Sequence, residues 1–436
     1  MAKSYRPYLP EQDFLLPPSM REWLPENHLV YFVSDVIDNL DLAAMDAVYG
    51  DEQRGQPPYD PRMMTKVLVY GYCVGVYSSR RLERRLAEDV GFRVLAAGNA
   101  PNFRTISDFR KLHLATLAGL FEAVLKIALE AGALQLGRVA LDGTKVKANA
   151  SKHKAMSYGR MQDKERQLRA EVERLLAQAE ATDAAEDAQY GADQRGDELP
   201  AELQRRETRL KKIREAKRAL EERARQQAEQ AGKPAAEVQP ADQDQYSFTD
   251  PESRLMKGSD GWLQGYNAQA AVEPSLQLIV GQSVTQAGND KEQLVPMVGV
   301  IERQSGQRPT AILADNGYCS EQNLAYLETA VRSGPPITAY IATGKVKHDE
   351  YRRPCPRRAL PANATRVERM KRKLQTKAGR AVYAARKTIV EPVFGQIKEA
   401  RGFRHFFLRG LTKVRGEWAL VCLTHNILKL HRLCYQ

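Results

Sequence analysis

No two cysteines in this chain are spaced as CxxC. The five of them (Cys73, Cys319, Cys355, Cys422 and Cys434) are scattered, and no histidine joins them at zinc-ligand spacing. That excludes the usual structural zinc frameworks and a disulfide-stapled scaffold, and points to a reducing compartment. The seven histidines form no catalytic constellation. The N-terminal stretch MAKSYRPYLPEQ lacks the apolar core of a signal peptide. The longest apolar run, residues 67–77, is far short of the roughly 20 residues a membrane helix needs. A cytoplasmic protein with no membrane partner is therefore expected. No glycine-rich phosphate loop occurs, so no nucleotide cofactor is expected either.

What the chain has in excess is positive charge, unevenly placed. The total of 66 Lys and Arg against 54 Asp and Glu gives +12, yet residues 344–436 alone carry 23 basic and six acidic residues, a net of +17. The first 343 residues are thus slightly acidic. Basicity confined to one region suits a surface that tracks phosphates, although a solvated basic face explains a charge run equally well. Between Arg369 and Gly416 stand fourteen cations and two acids, Glu391 and Glu399. A carboxylate among so many cations is easily kept ionised, and a protein handling polyphosphate needs such an anion to hold a metal.

With 436 residues the chain is long enough for two or three domains. Residues 1–57 are Pro-rich, with a short helix expected around His28–Leu40. Asp60-Pro61 is an N-cap followed by a first-turn proline. A helix over Ser79–Val90 carries Arg80, Arg81, Arg84 and Arg85. Thr105-Ile-Ser-Asp108 resembles a capping box opening a long helix to Ala131, with Gly132 as its stop. Three helices with basic turns suggest a helix-turn-helix-like module; an ordinary helical subdomain is the alternative.

From Arg138 the pattern alternates as a strand. Residues 155–245 depart from it: Leu168, Val172 and Leu175, then Leu203, Leu210, Ile213 and Leu220, recur at helical spacing amid dense charge. That predicts a coiled-coil hairpin around an acidic linker, 182–200, followed by a flexible stretch to Gln245. The strand pattern then resumes as a hairpin (265–273 and 276–284). A helix (291–304), a strand (310–314), a helix (321–332) and a strand (337–342) follow. Without the insertion the order is β-β-β-α-β-α-β-α, a mixed five-stranded sheet with helices packed on it.

Asp142 follows Val139, Ala140 and Leu141, and Asp315 follows Ala311, Ile312, Leu313 and Ala314. Each acid ends the apolar part of a strand, where an unpaired carboxylate is costly. Taken singly, each also reads as a turn or cap residue. Two such acids on neighbouring strands with a third from a helix form an oxygen-ligand site for Mg²⁺ or Mn²⁺. Two ions so held activate a water or a 3′-OH in phosphodiester displacement. Asp290 is the rival accessory acid, and its place before Lys291 reads as a helix cap. Lys145 and Lys147 share one face of their strand and suit DNA phosphates. Trp262 and Tyr266 suit either a stacked base or the core, with core packing the stronger reading; Trp418 packs a C-terminal helix.

The segments LDGTKVKANA, AILADNGY and YAARKTIVEPVFGQIK, in that order, resemble bacterial insertion-sequence transposases of the DDE class, in the branch with a Tyr…Arg…Glu…Lys signature. YDPRMMTKVLVYGYCVGVYSSRRLERR and FRTISDF resemble that group's end-binding region. The resemblance implies an all-α N-terminal DNA-binding module (1–132) and an RNase H-like catalytic domain (133–154 and 246–436) interrupted by the helical insertion (155–245). It implies Asp142, Asp315 and Glu391 as ligands of two Mg²⁺ or Mn²⁺ ions, with Tyr383, Arg386 and Lys398 at DNA phosphates. Four residues separate Arg386 from Glu391 where the signature has three, so Lys387 competes with Arg386 for its role. Pro392 predicts a kink or a helix start at Glu391. The function implied is binding of terminal inverted repeats, metal-dependent cleavage and strand transfer into target DNA by a homodimer. A nuclease without strand transfer and a non-catalytic, transposase-derived DNA-binding protein are the alternatives.

Overall fold

The computed structural model describes residues 19–49, 57–151, 154–190, 201–230, 232, 234, 238–258, 261–329, 334–344, 355 and 359–435. Its N-terminal part is helical: α1 (Leu29–Asp38), α2 (Ala43–Asp46) and α3 (Pro61–Cys73). Asp60 caps α3 by accepting from the Met63 amide, with Pro61 in the first turn. The helix expected over 79–90 is two, α4 (Ser79–Glu88) and α5 (Val90–Leu95). Asp89 divides them, because its extended backbone lets its carboxylate cap the Gly91 and Phe92 amides.

The long helix expected from Thr105 to Ala131 is also divided, into α6 (Phe103–Leu112) and α7 (Leu114–Glu130). Asn102, rather than Thr105, opens it by accepting from the Arg104 and Thr105 amides. The break falls at His113, whose ring packs on Phe109 at 4.6 Å and meets the Tyr49 hydroxyl at 2.9 Å. Gly132, at φ +70°, ends α7, and the Leu134 amide returns to the Ala128 carbonyl.

The second half is built on a sheet. In chain order come β1 (Arg138–Lys147), β2 (Ala155–Ser157), α8 (Tyr158–Tyr190), α9 (Ala201–Gln230), β3 (Gln245–Ser247), β4 (Arg254–Gly258), β5 (Gly261–Val272) and β6 (Ile279–Thr285). Then follow α10 (Leu294–Ser305), β7 (Ala311–Ala314), α11 (Glu321–Glu328), β8 (Thr338–Ile341), α12 (Arg366–Gln375), α13 (Lys377–Gly395) and α14 (Leu411–Tyr435). The order β6-β5-β1 is antiparallel throughout, and β1-β7-β8 is parallel. These are the five strands predicted; a sixth, β4, pairs with the start of β5 and makes the sheet one strand larger than expected.

The insertion leaves and rejoins the sheet through the two-stranded clasp β2–β3. Helices α8 and α9 run antiparallel, since Glu165 meets Arg214 and Lys217 while Glu171 meets Arg206. They enclose a small core of Tyr158, Met161, Leu168, Leu210, Ile213, Ala216 and Leu220, separate from the main one. Residues 182–190, read from the sequence as linker, continue α8; residues 191–200 lie outside the described residues.

The main core is continuous from Val30 in α1 to Leu430 in α14. Trp418 on α14 is fully buried, as predicted, and donates to the Gln269 carbonyl of β5. On the same helix Glu417 is buried. It accepts from the Tyr72 hydroxyl of α3 and from the Phe407 and Leu408 amides. No single described helix is long and apolar enough to cross a membrane.

Candidate active site

Leu141 on β1 pairs with Ala314 on β7, so the next residues, Asp142 and Asp315, stand side by side where the apolar strands end. Each carboxylate is oriented by a glycine amide just after it. Gly143 donates to Asp142 at 2.8 Å, and Gly317 donates to Asp315 at 2.8 Å within the turn Asn316–Tyr318. Burial raises the Asp142 carboxyl to about 6; Arg386 opposes the rise and the nearby Asp315 adds to it.

Arg386 reaches the site from α13. One guanidinium nitrogen donates to Asp142 at 3.1 Å, and the other lies 3.7 Å from Glu391. Its side chain is 9% exposed, and its Nε is buried without a partner. Lys387 is exposed and points elsewhere, so of the two competing cations Arg386 faces the acids. Tyr383 lies one turn before it, close enough to act on its charge.

Glu391 sits inside α13, with Pro392 within the same helix, so it is not at a helix start. Pro392 supplies no amide to the Thr388 carbonyl one turn earlier. The Gln277 side chain, from the β5–β6 turn, donates to that carbonyl instead at 2.9 Å. The helix then loosens into a π-helical turn over Gln396–Ala400. The Glu391 side chain is 53% exposed, and its ionic contact is with Arg386.

Lys398, in the π turn, donates to the Lys145 carbonyl at 3.1 Å, which ties α13 to β1. Side chains alternate along a strand, so Lys145 faces away from Asp142. Its ammonium lies 3.5 Å from Asp290. Lys147 is exposed. On α4, Arg80, Arg81, Arg84 and Arg85 are all exposed; Arg80 lies over the Phe103 ring, and Arg84 and Arg85 pair with Glu88 and Asp89 one turn on. Trp262 is 61% exposed, so the core-packing expectation fails for it. Tyr266 is buried, donating to Asp250 and meeting Phe406 edge-on.

Asp290 differs from its sequence reading. Helix α10 begins at Leu294, and Gln293 in the position before it makes no side-chain cap bond. The Asp290 carboxylate instead accepts from Asn267 at 2.6 Å and Gln269 at 2.7 Å, both on β5. Two amide side chains two residues apart, on one face of a buried strand, are the sequence signal for it.

Two adjacent carboxylates just past the parallel pairing of β1 with β7, with Arg386 as their close cation, present hard oxygen donors short of positive charge. That pair fits a divalent ion such as Mg²⁺, which takes one or two protein carboxylates and completes its shell with water and substrate phosphate. Among the described residues no three acidic, histidine or cysteine side chains converge into a ready cage. The expected three-acid cluster is therefore not assembled in this arrangement, because the Arg386 guanidinium links Asp142 to Glu391.

Residues 18–112 match the family model described as a transposase domain (DUF772), and residues 352–431 match one described as a transposase DDE domain. Arg386, Glu391 and Lys398 lie within the second match; Asp142 and Asp315 lie outside both. No curated protein and no solved structure matches the chain.

Proposed function

We propose that the chain, whose residues 18–112 and 352–431 match transposase family models, is an insertion-sequence transposase of the DDE class that binds the terminal inverted repeats of its element, cleaves the DNA there and joins the freed 3′-OH to target DNA. One observation carries the catalytic part: Asp142, midway along β1, and Asp315, just past the end of β7, stand side by side where the parallel pairing of the two strands stops, and Arg386, from the segment matching the DDE model, is bonded to the first of them. The strand order, antiparallel over β6-β5-β1 and parallel over β1-β7-β8, supports reading residues 133–154 and 246–436 as an RNase H-like catalytic domain. Residues 1–132 are then the DNA-binding module and 155–245 the insertion.

Asp142 and Asp315, with Glu391 as the third acid, would hold Mg²⁺ or Mn²⁺, which would supply activation of the attacking water or 3′-OH and stabilisation of the leaving oxygen. Arg386 favours the ionised form of Asp142, the form that can ligate. Tyr383 lies one turn before Arg386 and Lys398 bonds β1 at the Lys145 carbonyl, while the exposed Lys387 and Lys147, on other faces, and Arg80, Arg81, Arg84 and Arg85 of α4 offer further phosphate-binding surface. Joining two ends requires two such sites, so the active complex is a homodimer.

The test is cleavage of DNA carrying the element's ends, with Mg²⁺. Asp142→Ala and Asp315→Ala should lower the rate by about 10³-fold or more, the scale set by removing a group that acts with the metal, while end binding persists. Undiminished cleavage in either variant rejects the assignment. Strand transfer from pre-cleaved ends then separates a transposase from a plain nuclease.

A further inference from the structure

We propose that Asp290 is a positioning residue for the two catalytic aspartates, acting through the glycines beside them; the proposal rests on the metal-site reading above. Asp142 and Gly143 are neighbours on β1, so the bare face of Gly143 looks the opposite way from the Asp142 carboxylate. A Cβ on Gly143 would lie 2.6 Å from an Asp290 oxygen. A Cβ on Gly317 would lie 3.5 Å from Asp290 and 2.9 Å from Asp315. Asp290 therefore packs behind the site, against both glycines. These are the two residues whose amides orient the acids, Gly143 to Asp142 and Gly317 to Asp315.

Asp290 is itself held in place. Asn267 and Gln269 donate to one of its oxygens, and Lys145 lies 3.5 Å from the same oxygen. Gln269 also accepts from the hydroxyl of Tyr318, the residue after Gly317. Asn267 and Gln269 pair across the sheet with Lys145 and Gly143. The carboxylate thus locks β1, β5 and the Asn316–Tyr318 turn into one unit. Lying on the far side of β1 from the Asp142 carboxylate, it sets the ligands without being one of them. Outer groups of this kind govern metal affinity through the ligands they orient.

The experiment is Mn²⁺ binding to the full chain, followed by electron paramagnetic resonance without DNA, so that turnover is not the readout. Asp290→Ala should weaken binding about tenfold or more, the usual scale for losing an outer-shell partner. Asp290→Asn keeps an oxygen between Asn267 and Gln269, and should recover affinity to within about threefold of the parent. Unchanged binding in Asp290→Ala, or equal loss in Asp290→Asn, overturns the positioning role. Asp142→Asn is the control: if it leaves Mn²⁺ binding intact, the metal-site reading falls instead. Should Asp290→Ala fail to fold, Asn267→Ala removes one donor to the same oxygen and should weaken binding about threefold; no change there overturns the proposal.

Discussion

Glu417 is a carboxylate shut away from water at the joint between the N-terminal helices and α14. Burial raises its pKa, while Arg110, the Phe407 and Leu408 amides and the Tyr72 hydroxyl draw it back. Arg110 is buried as well, donating to Tyr72 and to the Tyr77 carbonyl. Truncating the acid strands two amides, a hydroxyl and a buried guanidinium. Glu417→Ala should therefore cost about 3 kcal/mol of stability, the range for breaking a buried charged network. Urea unfolding checks this, and a loss below about 1 kcal/mol would place the network's worth at that of an exposed pair. Nothing in the local sequence marks Glu417 as internal: its neighbours in the chain are Gly416 and Trp418, and the groups that hold it come from three other segments.

At the scale of elements, α13 depends on a residue more than 100 positions away in the chain. Gln277 stands at φ +60°, a strained backbone for a residue other than glycine. Its side chain donates to the Thr388 carbonyl left open by Pro392 and accepts from Lys429, while its own carbonyl meets the His425 ring. Gln277→Ala keeps the strain and loses the side-chain bonds, so it should cost about 1–2 kcal/mol. Because the turn braces the helix bearing Arg386 and Glu391, cleavage should slow more than end binding weakens. Equal effects on both, by cleavage rate and band shift, would separate this turn from the site.

Elements whose signals are local were legible. Asp60-Pro61 caps and starts α3 within its own four residues, and the apolar runs before Asp142 and Asp315 needed no distant partner to read as buried strands. The misreadings have two causes, a local cap at Asp89 and tertiary contacts at the others. Asp89 could serve one helix or cap the next; His113 breaks α6 from α7 against a ring brought in by Tyr49; and Gln277 lets a helix pass through Pro392. The strand β4 carries two cations in five residues and is a strand because β5 is long enough to pair it. The choice between Arg386 and Lys387 was likewise open in one dimension, and helix rotation closes it by burying the first and exposing the second.

At the scale of the molecule, the two segments that match transposase models, 18–112 and 352–431, lie far apart in the chain yet share one core. The insertion does not: its apolar residues form their own cluster above the β2–β3 clasp. Replacing residues 160–240 by a short Gly/Ser turn, with the clasp kept, should leave a folded chain. Its melting temperature should fall by no more than about 2 °C, corresponding to about 1–2 kcal/mol for a protein of this size. Collapse of the cooperative melt would mean that the insertion supports the main core.

The clasp also bears on the order in which the chain can fold. Strand β1 cannot meet β5 until everything between Lys147 and Gly261 has been looped out, and that closure becomes dearer in entropy as the loop lengthens. A helical hairpin stabilised by its own neighbours can form first, bringing Ser157 to Gln245 and leaving only short connections to be closed. The saving is about 1 kcal/mol in closure entropy, which places the insertion ahead of the sheet in time even though it lies outside the sheet in space.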